Sequence, residues 1–429
     1  MRRVGTLWRN RDFALLWSAQ SVSMVGSEVS GLALPLVAIL VLHASTFAVA
    51  ALGVVEFLPF VLLTLPAGVW ADRVRRRPIL IASDWGRVVV LGSVPLTYAL
   101  GGLTLAQLYV VGFLTGVFTV FFDVSYQSYL PALVDKEHVI DGNSKLELSR
   151  AGSQVVGPTL AGALVSALTA SYAVAVDAFS FVVSALCLMR IRKPEPDPAP
   201  AEDRRPMRTE IATGLRYTWR HPLLRPLILQ IGMGNFFNAS ISAILLVFAV
   251  RNLHLSATTI GIAFSIGNAG LLLGATIARR LAVAFGIGPT LICGAVATGV
   301  SWLLLAVAPR HAAIPLLALA RFVWSLGAVL YFVNGISLIQ TITPDRLLGR
   351  VNASRRFAVW GVMPFGSLLG GALGTTLGLR TAIWVGAIGA ALSSIPLLLS
   401  PMRHVRRTED AEEMVRAMND EFRVATGAP

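Results

Sequence analysis

The chain has 429 residues, of which 55% are hydrophobic and only 14% are charged. Soluble domains carry about 25% charged residues, so this deficit excludes an ordinary soluble protein and favours a chain that lies mostly in lipid. The net charge of +13 does not indicate nucleic-acid binding. Its arginines cluster in short loops beside apolar runs, which is the pattern of membrane-protein orientation.

Motifs for covalent, metal or nucleotide chemistry are missing from the sequence. Cys187 and Cys293 lie inside apolar runs, and no Cys or His spacing typical of a metal site occurs. Neither a phosphate-binding loop nor an HExxH or GxSxG motif is present. We therefore expect no enzyme activity, no metal and no cofactor. The basic N-terminus precedes an apolar run that is too long for a signal peptide.

The hydropathy of the chain predicts twelve membrane-spanning helices. A bilayer core of ~30 Å takes about 20 apolar residues per helix, and lipid requires every backbone group to be satisfied internally. The predicted spans are residues 13–42, 47–69, 79–100, 105–125, 149–169, 172–190, 225–250, 257–278, 287–308, 313–338, 357–378 and 382–400. The even number and the arginine-rich loops predict a multi-pass protein of a bacterial-type plasma membrane, with both termini cytoplasmic.

A polar, proline-rich segment divides six spans from six. Within it, Ile211, Leu215 and Trp219 recur at helical spacing among arginines, which predicts an interfacial amphipathic helix. The tail carries an apolar stripe of its own at Met414 and Met418. The predicted division is a six-helix bundle at 1–190, a cytoplasmic linker at 191–224, a second bundle at 225–400 and a cytoplasmic tail helix at 401–429.

The two halves match at a nearly constant shift of about 206–210 residues, the size of one six-helix unit. Matching positions occur in three separate segments, so chance similarity between apolar helices is a poor explanation. The pairs are Gln20/Gln230, Glu28/Asn238, Ser30/Ser240, Gly68/Gly274, Arg73/Arg279, Asn143/Asn352, Gly152/Gly361, Gly157/Gly366 and Gly162/Gly371. The sequence thus predicts an all-α membrane protein of two pseudo-symmetric six-helix bundles.

The loop between spans two and three, residues 68–80 (the gate loop), carries the most specific motif. It reads Gly-Val-Trp-Ala-Asp-Arg-Val-Arg-Arg-Arg-Pro-Ile-Leu. This resembles the GxxxDRxxRR loop of the major facilitator superfamily of secondary transporters, except that Arg75 stands where the pattern often has Gly. The resemblance covers residues 10–400 and implies a cytoplasmic gate. The gate residues it implies are Gly68, Asp72, Arg73, Arg76 and Arg77, with Asp123 at the cytoplasmic end of span four as their partner.

Span five carries Gly157-Pro158-Thr-Leu-Ala161-Gly162, which is similar to the GPxxGG-type sequence of the superfamily's exporters. Its physical content is a helix softened by Pro158 and thinned by glycines for close packing, and ordinary small-residue packing is the alternative. Residues 129–134 and 141–144 resemble the loop of the enterobactin-exporter and macrolide-efflux subgroup. This resemblance implies proton-driven export of drugs or siderophores.

Ionisable residues at membrane depth are costly and usually functional. Five such acids occur, at Glu28, Glu56, Asp84, Asp123 and Asp177, all of them in the first half. Glu28 and Glu56 lie near mid-depth and are the predicted proton-coupling or cation-binding residues, because a carboxylate in low dielectric can exchange a proton near neutral pH. The alternative for each is a structural carboxylate bonded to a neighbouring helix.

The remaining deep charges suggest pairs. Arg321 of span ten has no acid in its own half's spans, so we expect it to face the central cavity and pair with Glu28; snorkelling to the outer surface is the alternative. Asp84 and Arg87, three residues apart, can neutralise each other. Asp177 is expected to make a structural hydrogen bond. Asn238, the repeat counterpart of Glu28, completes the predicted cavity set.

These features predict a proton-coupled exporter of small amphipathic compounds that works by alternating access. Its expected partners are the small-molecule substrate, protons and the lipid bilayer, without nucleic acid, and it is expected to act as a monomer. One alternative is the same fold moving another cargo, such as a lysophospholipid, sugar or metabolite, with import possible. A membrane scaffold without transport is disfavoured because it gains nothing from costly buried charges.

Overall fold

The computed structural model describes residues 7–71, 74–135, 138–195, 216–219, 221–344, 347–348, 351, 355, 358–407 and 409–410. Its regular structure is helical, and twelve of its helices are long and apolar enough to cross a membrane, as predicted. The helices in these spans are α1 Arg11–Leu36, α2 Thr46–Ala71, α3 Arg76–Ala99, α4 Leu105–Leu133, α5 Val139–Leu168, α6 Ala170–Arg190, α7 Leu224–Arg251, α8 Ala257–Phe285, α9 Ile287–Ala306, α10 Ala313–Ile342, α11 Met363–Thr376 and α12 Leu379–Leu392. The spans that contain α11 and α12 are longer than these two helices and cover Ala358–Thr376 and Leu379–Leu398. A π-helical turn, Val37–Val41, extends α1, and a short helix, Ile395–Leu398, follows α12.

Three helices run well beyond the predicted spans. Helix α4 ends at Leu133 rather than at 125, α5 begins at Val139 rather than at 149, and α8 continues to Phe285 rather than 278. Hydropathy marks where the lipid-facing run stops, whereas a helix continues through polar residues as long as its backbone bonds are satisfied. Asp123 therefore lies ten residues inside α4, not at its end.

The structure groups the chain into two compact units. The first comprises residues 1–202, 243–265 and 371–379, and the second comprises residues 203–242, 266–370 and 380–429. The first unit thus contains the end of α7, the first turns of α8 and the end of α11 as well as α1–α6. Division of the sequence at 190 and 225 remains a prediction about the duplicated halves. The linker's amphipathic helix and the tail helix fall almost entirely outside the described residues.

The duplication is visible in two matching turns, which follow α1 and α7. Each contains the sequence Leu-His-x-Ser, and its histidine adopts a left-handed backbone conformation, with φ 49° at His43 and 55° at His254. Ala44 donates from its backbone N–H to Ala38, and Leu255 donates in the same way to Ala249, six residues back in both cases. The following serine side chain, Ser45 or Ser256, then accepts a backbone N–H three residues on.

The start of α7 is held by a buried histidine. The Nδ1 atom of His221 accepts hydrogen bonds from the backbone N–H groups of Leu223 and Leu224, at 3.2 and 3.3 Å. Its side chain lies in the second unit with only 6% of the residue exposed. Burial lowers the pKa of His221 from its ordinary 6.5 to about 4, because a charged imidazolium loses its solvation there.

Because the pKa of His221 is lowered, the stability of the folded chain is expected to fall at acid pH. Between pH 6.5 and 4 the unfolded chain binds a proton that the folded chain does not, so stability is full above pH 6.5 and falls toward pH 4. The expected loss is about 3 kcal/mol. His221→Asn keeps a helix-capping acceptor but cannot titrate, so the melting temperature of the purified variant should lose this pH dependence. If the melting temperatures of the wild type and of His221→Asn fall equally between pH 6.5 and 4, His221 is not the source of the pH dependence.

Candidate functional site

The first unit contains a partly open polar cavity of about 170 Å³. Four helices contribute to its wall, and they bring two carboxylates and two guanidinium groups together with hydroxyl and amide side chains. The lining residues are Gln20, Ser23, Met24, Ser27 and Glu28 from α1, Arg87 from α3, Thr119, Phe122, Asp123 and Tyr126 from α4, and Arg150, Ser153 and Gln154 from α5. An arrangement of this kind can bind a small polar or charged group and exchange protons with it.

Glu28 reaches this cavity because α1 and α5 approach closely beside it. Gly157 of α5 lies against the Glu28 side chain. A Cβ atom at this glycine would lie 2.8 Å from Glu28 Cγ and closer still to its Cβ. Helix α5 therefore needs glycine at this position. The structure thus joins two predicted features, the coupling acid and the exporter-type motif, into one contact.

A buried ion pair forms one wall of the cavity. The Arg87 guanidinium donates to Asp84 three residues earlier on α3, which confirms the predicted pair. The other Asp84 oxygen accepts from the Ser184 hydroxyl at 2.6 Å. Arg87 also lies over the rings of Phe181 and Phe122, with its Cζ 3.9 and 4.5 Å from the two centroids. These contacts fix a positive charge at the cavity surface and leave Asp84 behind it, fully buried.

Asp123 lines the cavity, which the sequence did not predict. Its carboxylate interacts electrostatically with Arg87 and Arg150. Among the described residues it makes no hydrogen bond or close ion pair. Helix α4 continues for ten residues beyond Asp123. The gate role predicted for Asp123 remains a prediction.

Glu56 and Asp177 occupy helix contacts outside the cavity lining. Glu56 on α2 packs on two glycines of α4, where a Cβ atom at Gly112 would lie 2.9 Å from Glu56 Cγ. It makes no hydrogen bond or ion pair among the described residues, and its proposed coupling role stays a prediction. Asp177 accepts a hydrogen bond from the Ser180 hydroxyl at 3.1 Å beside Gly26 of α1, in agreement with the structural role predicted for it.

The gate loop is described only in part, because Asp72 and Arg73 lie outside the described residues. A Cβ atom added to Gly68 meets no described atom within 4 Å. Arg76 forms an ion pair with Glu195 at 3.3 Å, and Arg77 donates to the backbone oxygens of Leu188 and Met189. Within the described residues, the side-chain partners of these two arginines therefore lie in the last turn of α6 and just after it, and Asp123 is not among them. A pairing of Asp123 with Arg73 stays a prediction.

The exporter-type motif has a second contact within the first unit, on α8. A Cβ atom at Gly162 would overlap the backbone oxygen of Ala257, and one at Gly261 would overlap that of Pro158. The Thr159 hydroxyl and backbone N–H both contact the Ser265 hydroxyl, at 2.7 and 3.0 Å. The same two turns of α5 thus contact Glu28 through Gly157 and α8 through Pro158 and Gly162.

Two predicted cavity residues, Asn238 and Arg321, belong to the second unit. Asn238 accepts from the indole N–H of the buried Trp302 at 3.2 Å. Arg321 donates to Asn268 at 3.1 Å, and its guanidinium carbon lies 5.4 Å from the centre of the Trp324 ring. These contacts are within one bundle. The predicted pairing of Arg321 with Glu28 remains a prediction.

Comparison with known sequences supports one family. The family described as transmembrane secretion effector matches residues 6–426. The MFS-type transporter YfiS of Bacillus subtilis is 26% identical over 420 residues, covering 94% of this chain and 96% of the relative. The enterobactin exporter EntS of Escherichia coli K12 is 23% identical over 403 residues, covering 92% of this chain and 94% of the relative.

Solved structures share the fold. The inward-facing structure of a bacterial homologue of the iron transporter ferroportin matches with a TM-score of 0.74 and 17% identity, covering 92% of this chain and 98% of that one. A nucleoside transporter, NupG, matches with a TM-score of 0.73 and 12% identity over 90% of this chain. At these identities the likeness concerns the fold alone.

Proposed function

The chain belongs to the family of transmembrane secretion effectors within the major facilitator superfamily, and from that premise we propose that it exports small amphipathic compounds in exchange for protons. As a transporter with twelve apolar helices it is a multi-pass membrane protein. The proposed location is the bacterial plasma membrane, with both termini in the cytoplasm. The cargo is of the drug, macrolide or siderophore type, in keeping with the relative that is an enterobactin exporter.

The observation that carries this proposal is the cavity that holds both Glu28 and Asp123. Carboxylates at membrane depth are costly to the fold, and those that occur there usually serve a function such as transport. These two share the cavity with two arginines, so that either acid can lose its proton without leaving the cavity with an uncompensated negative charge. Glu28 and Asp123 are the proposed coupling residues, and no metal or organic cofactor takes part.

The proposed cycle couples proton binding to helix movement. When Glu28 or Asp123 is deprotonated, the cavity attracts a cationic or polar part of the substrate; when protons arrive, this attraction weakens and the substrate leaves. The contact of Glu28 with Gly157 supports a mechanical link, because the adjoining turns of α5 also pack on α8. Separation of α5 from α8 is the proposed step that opens this end of the first unit in alternating access.

Substrate-dependent proton movement tests this function. Everted membrane vesicles with an acidified lumen and a pH-sensitive dye are given ethidium, erythromycin or enterobactin in separate assays. We expect the wild-type chain to release protons with at least one of these probes. Glu28→Gln and Asp123→Asn should each reduce this release at least about tenfold, because a neutral amide cannot carry the proton.

The matched control is Glu147→Gln on α5. Its side chain is 75% exposed and pairs only loosely with Arg150, at 3.7 Å. This variant should release protons as the wild type does. Full proton coupling in a chain that carries both Glu28→Gln and Asp123→Asn would refute the coupling assignment, and Glu56→Gln tests the remaining predicted acid in the same assay.

A further inference from the structure

The segment that follows α6, residues 191–195 (the strap), is bonded to the ends of three other helices in the first unit, α1, α3 and α4. The backbone N–H groups of Arg192 and Lys193 donate to Asp12 in the first turn of α1, at 3.2 and 3.0 Å. The Lys193 ammonium donates to the backbone oxygen of Leu133 at the last residue of α4, at 2.9 Å. The start of the linker is thereby fixed to the bundle instead of leaving it freely.

The strongest bonds of the strap go to the first turn of α3. Both carboxylate oxygens of Glu195 accept from the backbone N–H of Arg76 at 2.8 Å, and one accepts from that of Arg77 at 3.1 Å. The Arg76 guanidinium adds an ion pair at 3.3 Å, and the Glu195 side chain is only 4% exposed. Helix α3 has no local side-chain cap, because Arg75 at the capping position makes no such bond.

A carboxylate at a helix N-terminus satisfies backbone donors that have no partner inside the helix and complements the helix dipole. Glu195 supplies this cap from 119 residues away. The gate loop ends in the same turn of α3, since residues 68–80 include Arg76 and Arg77. Loss of the cap would free the turn that anchors one end of the gate loop.

We propose that Glu195 is a positioning residue for the end of the gate loop at α3, and that the strap holds this first turn of α3 in place from the start of the inter-bundle linker. Glu195 touches no substrate in this role. It acts through the backbone of Arg76 and Arg77. The role goes beyond the proposed export function and rests on it only where transport is measured.

Hydrogen–deuterium exchange of the purified full chain tests the contact without any substrate. In Glu195→Ala, exchange at the first turn of α3, residues 76–79, should accelerate about tenfold, because its N-terminal amides lose their acceptor. Glu147→Ala removes an exposed carboxylate and should leave this turn unchanged. Unchanged exchange in Glu195→Ala, with the rest of the chain exchanging as in the wild type, overturns the proposal.

A local cap provides the rescue. Serine at position 75 can accept from the same turn of α3, so Arg75→Ser combined with Glu195→Ala should restore slow exchange. The transport rate of the double variant at saturating probe is compared with that of Arg75→Ser alone, which keeps Glu195. Glu195→Ala should lower the maximal rate about fivefold with little change in KM, and the double variant should recover it. Restored exchange without recovered transport overturns the positioning role. Absence of transport in the wild type refutes export, and the exchange result still decides the contact.

Discussion

Gly157→Ala is expected to reduce transport by about tenfold or more, although alanine normally stabilises a helix. The added Cβ atom would lie 2.8 Å from Glu28 Cγ and nearer to its Cβ, and the Cβ atom cannot move away without shifting the backbone of α1. Helices α1 and α5 must therefore separate, and the Glu28 carboxylate leaves its place in the cavity. Overpacking of this kind costs about 1–3 kcal/mol. The measurement is the proton release of everted vesicles.

Gly152→Ala is the matched control, since it makes the same change on the same helix. A Cβ atom at Gly152 meets no described atom within 4 Å. This variant should fold and transport as the wild type does, with stability unchanged or raised by up to about 1 kcal/mol. If the two alanine variants behave alike, the contact between Gly157 and Glu28 has no functional meaning.

Arg87→Met is expected to have the largest effect on stability, a loss of about 3–5 kcal/mol. Methionine fills much of the space between Phe122 and Phe181 but leaves the Asp84 carboxylate without a counter-ion, while Asp84 itself is fully buried. We expect a large fall in the melting temperature of the purified protein. Asp84→Asn added to Arg87→Met removes the stranded charge and should restore most of the loss.

The control for Arg87 is an ion pair on α5 in which the acid is exposed to water. Lys145 pairs with Asp141 at 2.6 Å one helical turn away on α5, and the Asp141 side chain is 48% exposed. Lys145→Met should cost less than about 0.5 kcal/mol, because water replaces the lost partner. Equal melting temperatures for wild type and Arg87→Met would mean that Asp84 is neutral or solvated in the folded protein.

Features that depend on neighbouring residues could be predicted from the sequence. Twelve spans follow from hydropathy, and the gate-loop motif identified the superfamily. The bond between Asp84 and Arg87 was predictable because residues three apart on a helix share a face. The cavity position of Asp123 was not predicted, because hydropathy ended span four at 125, whereas the helix continues to Leu133.

Contacts between distant segments could not be predicted in this way. The approach of Glu28 to Gly157 depends on how α1 crosses α5, and the bonds of Glu195 to Arg76 join positions 119 residues apart. The internal repeat of the sequence contained one sign of the contact between Glu28 and Gly157. Glu28 and Gly157 both have counterparts in the repeat, at Asn238 and Gly366, and Gly366 likewise packs closely on α7 at Phe236.

The paired Leu-His-x-Ser turns have a consequence for biosynthesis. Each turn ends one span and begins the next with bonds between residues close in the chain, from Val37 to Ala48 in one case and from Phe248 to Thr259 in the other. Neither turn needs a distant segment for these bonds. The first two spans of each half can therefore enter the bilayer as a finished hairpin while the ribosome is still adding the helices that will pack against them.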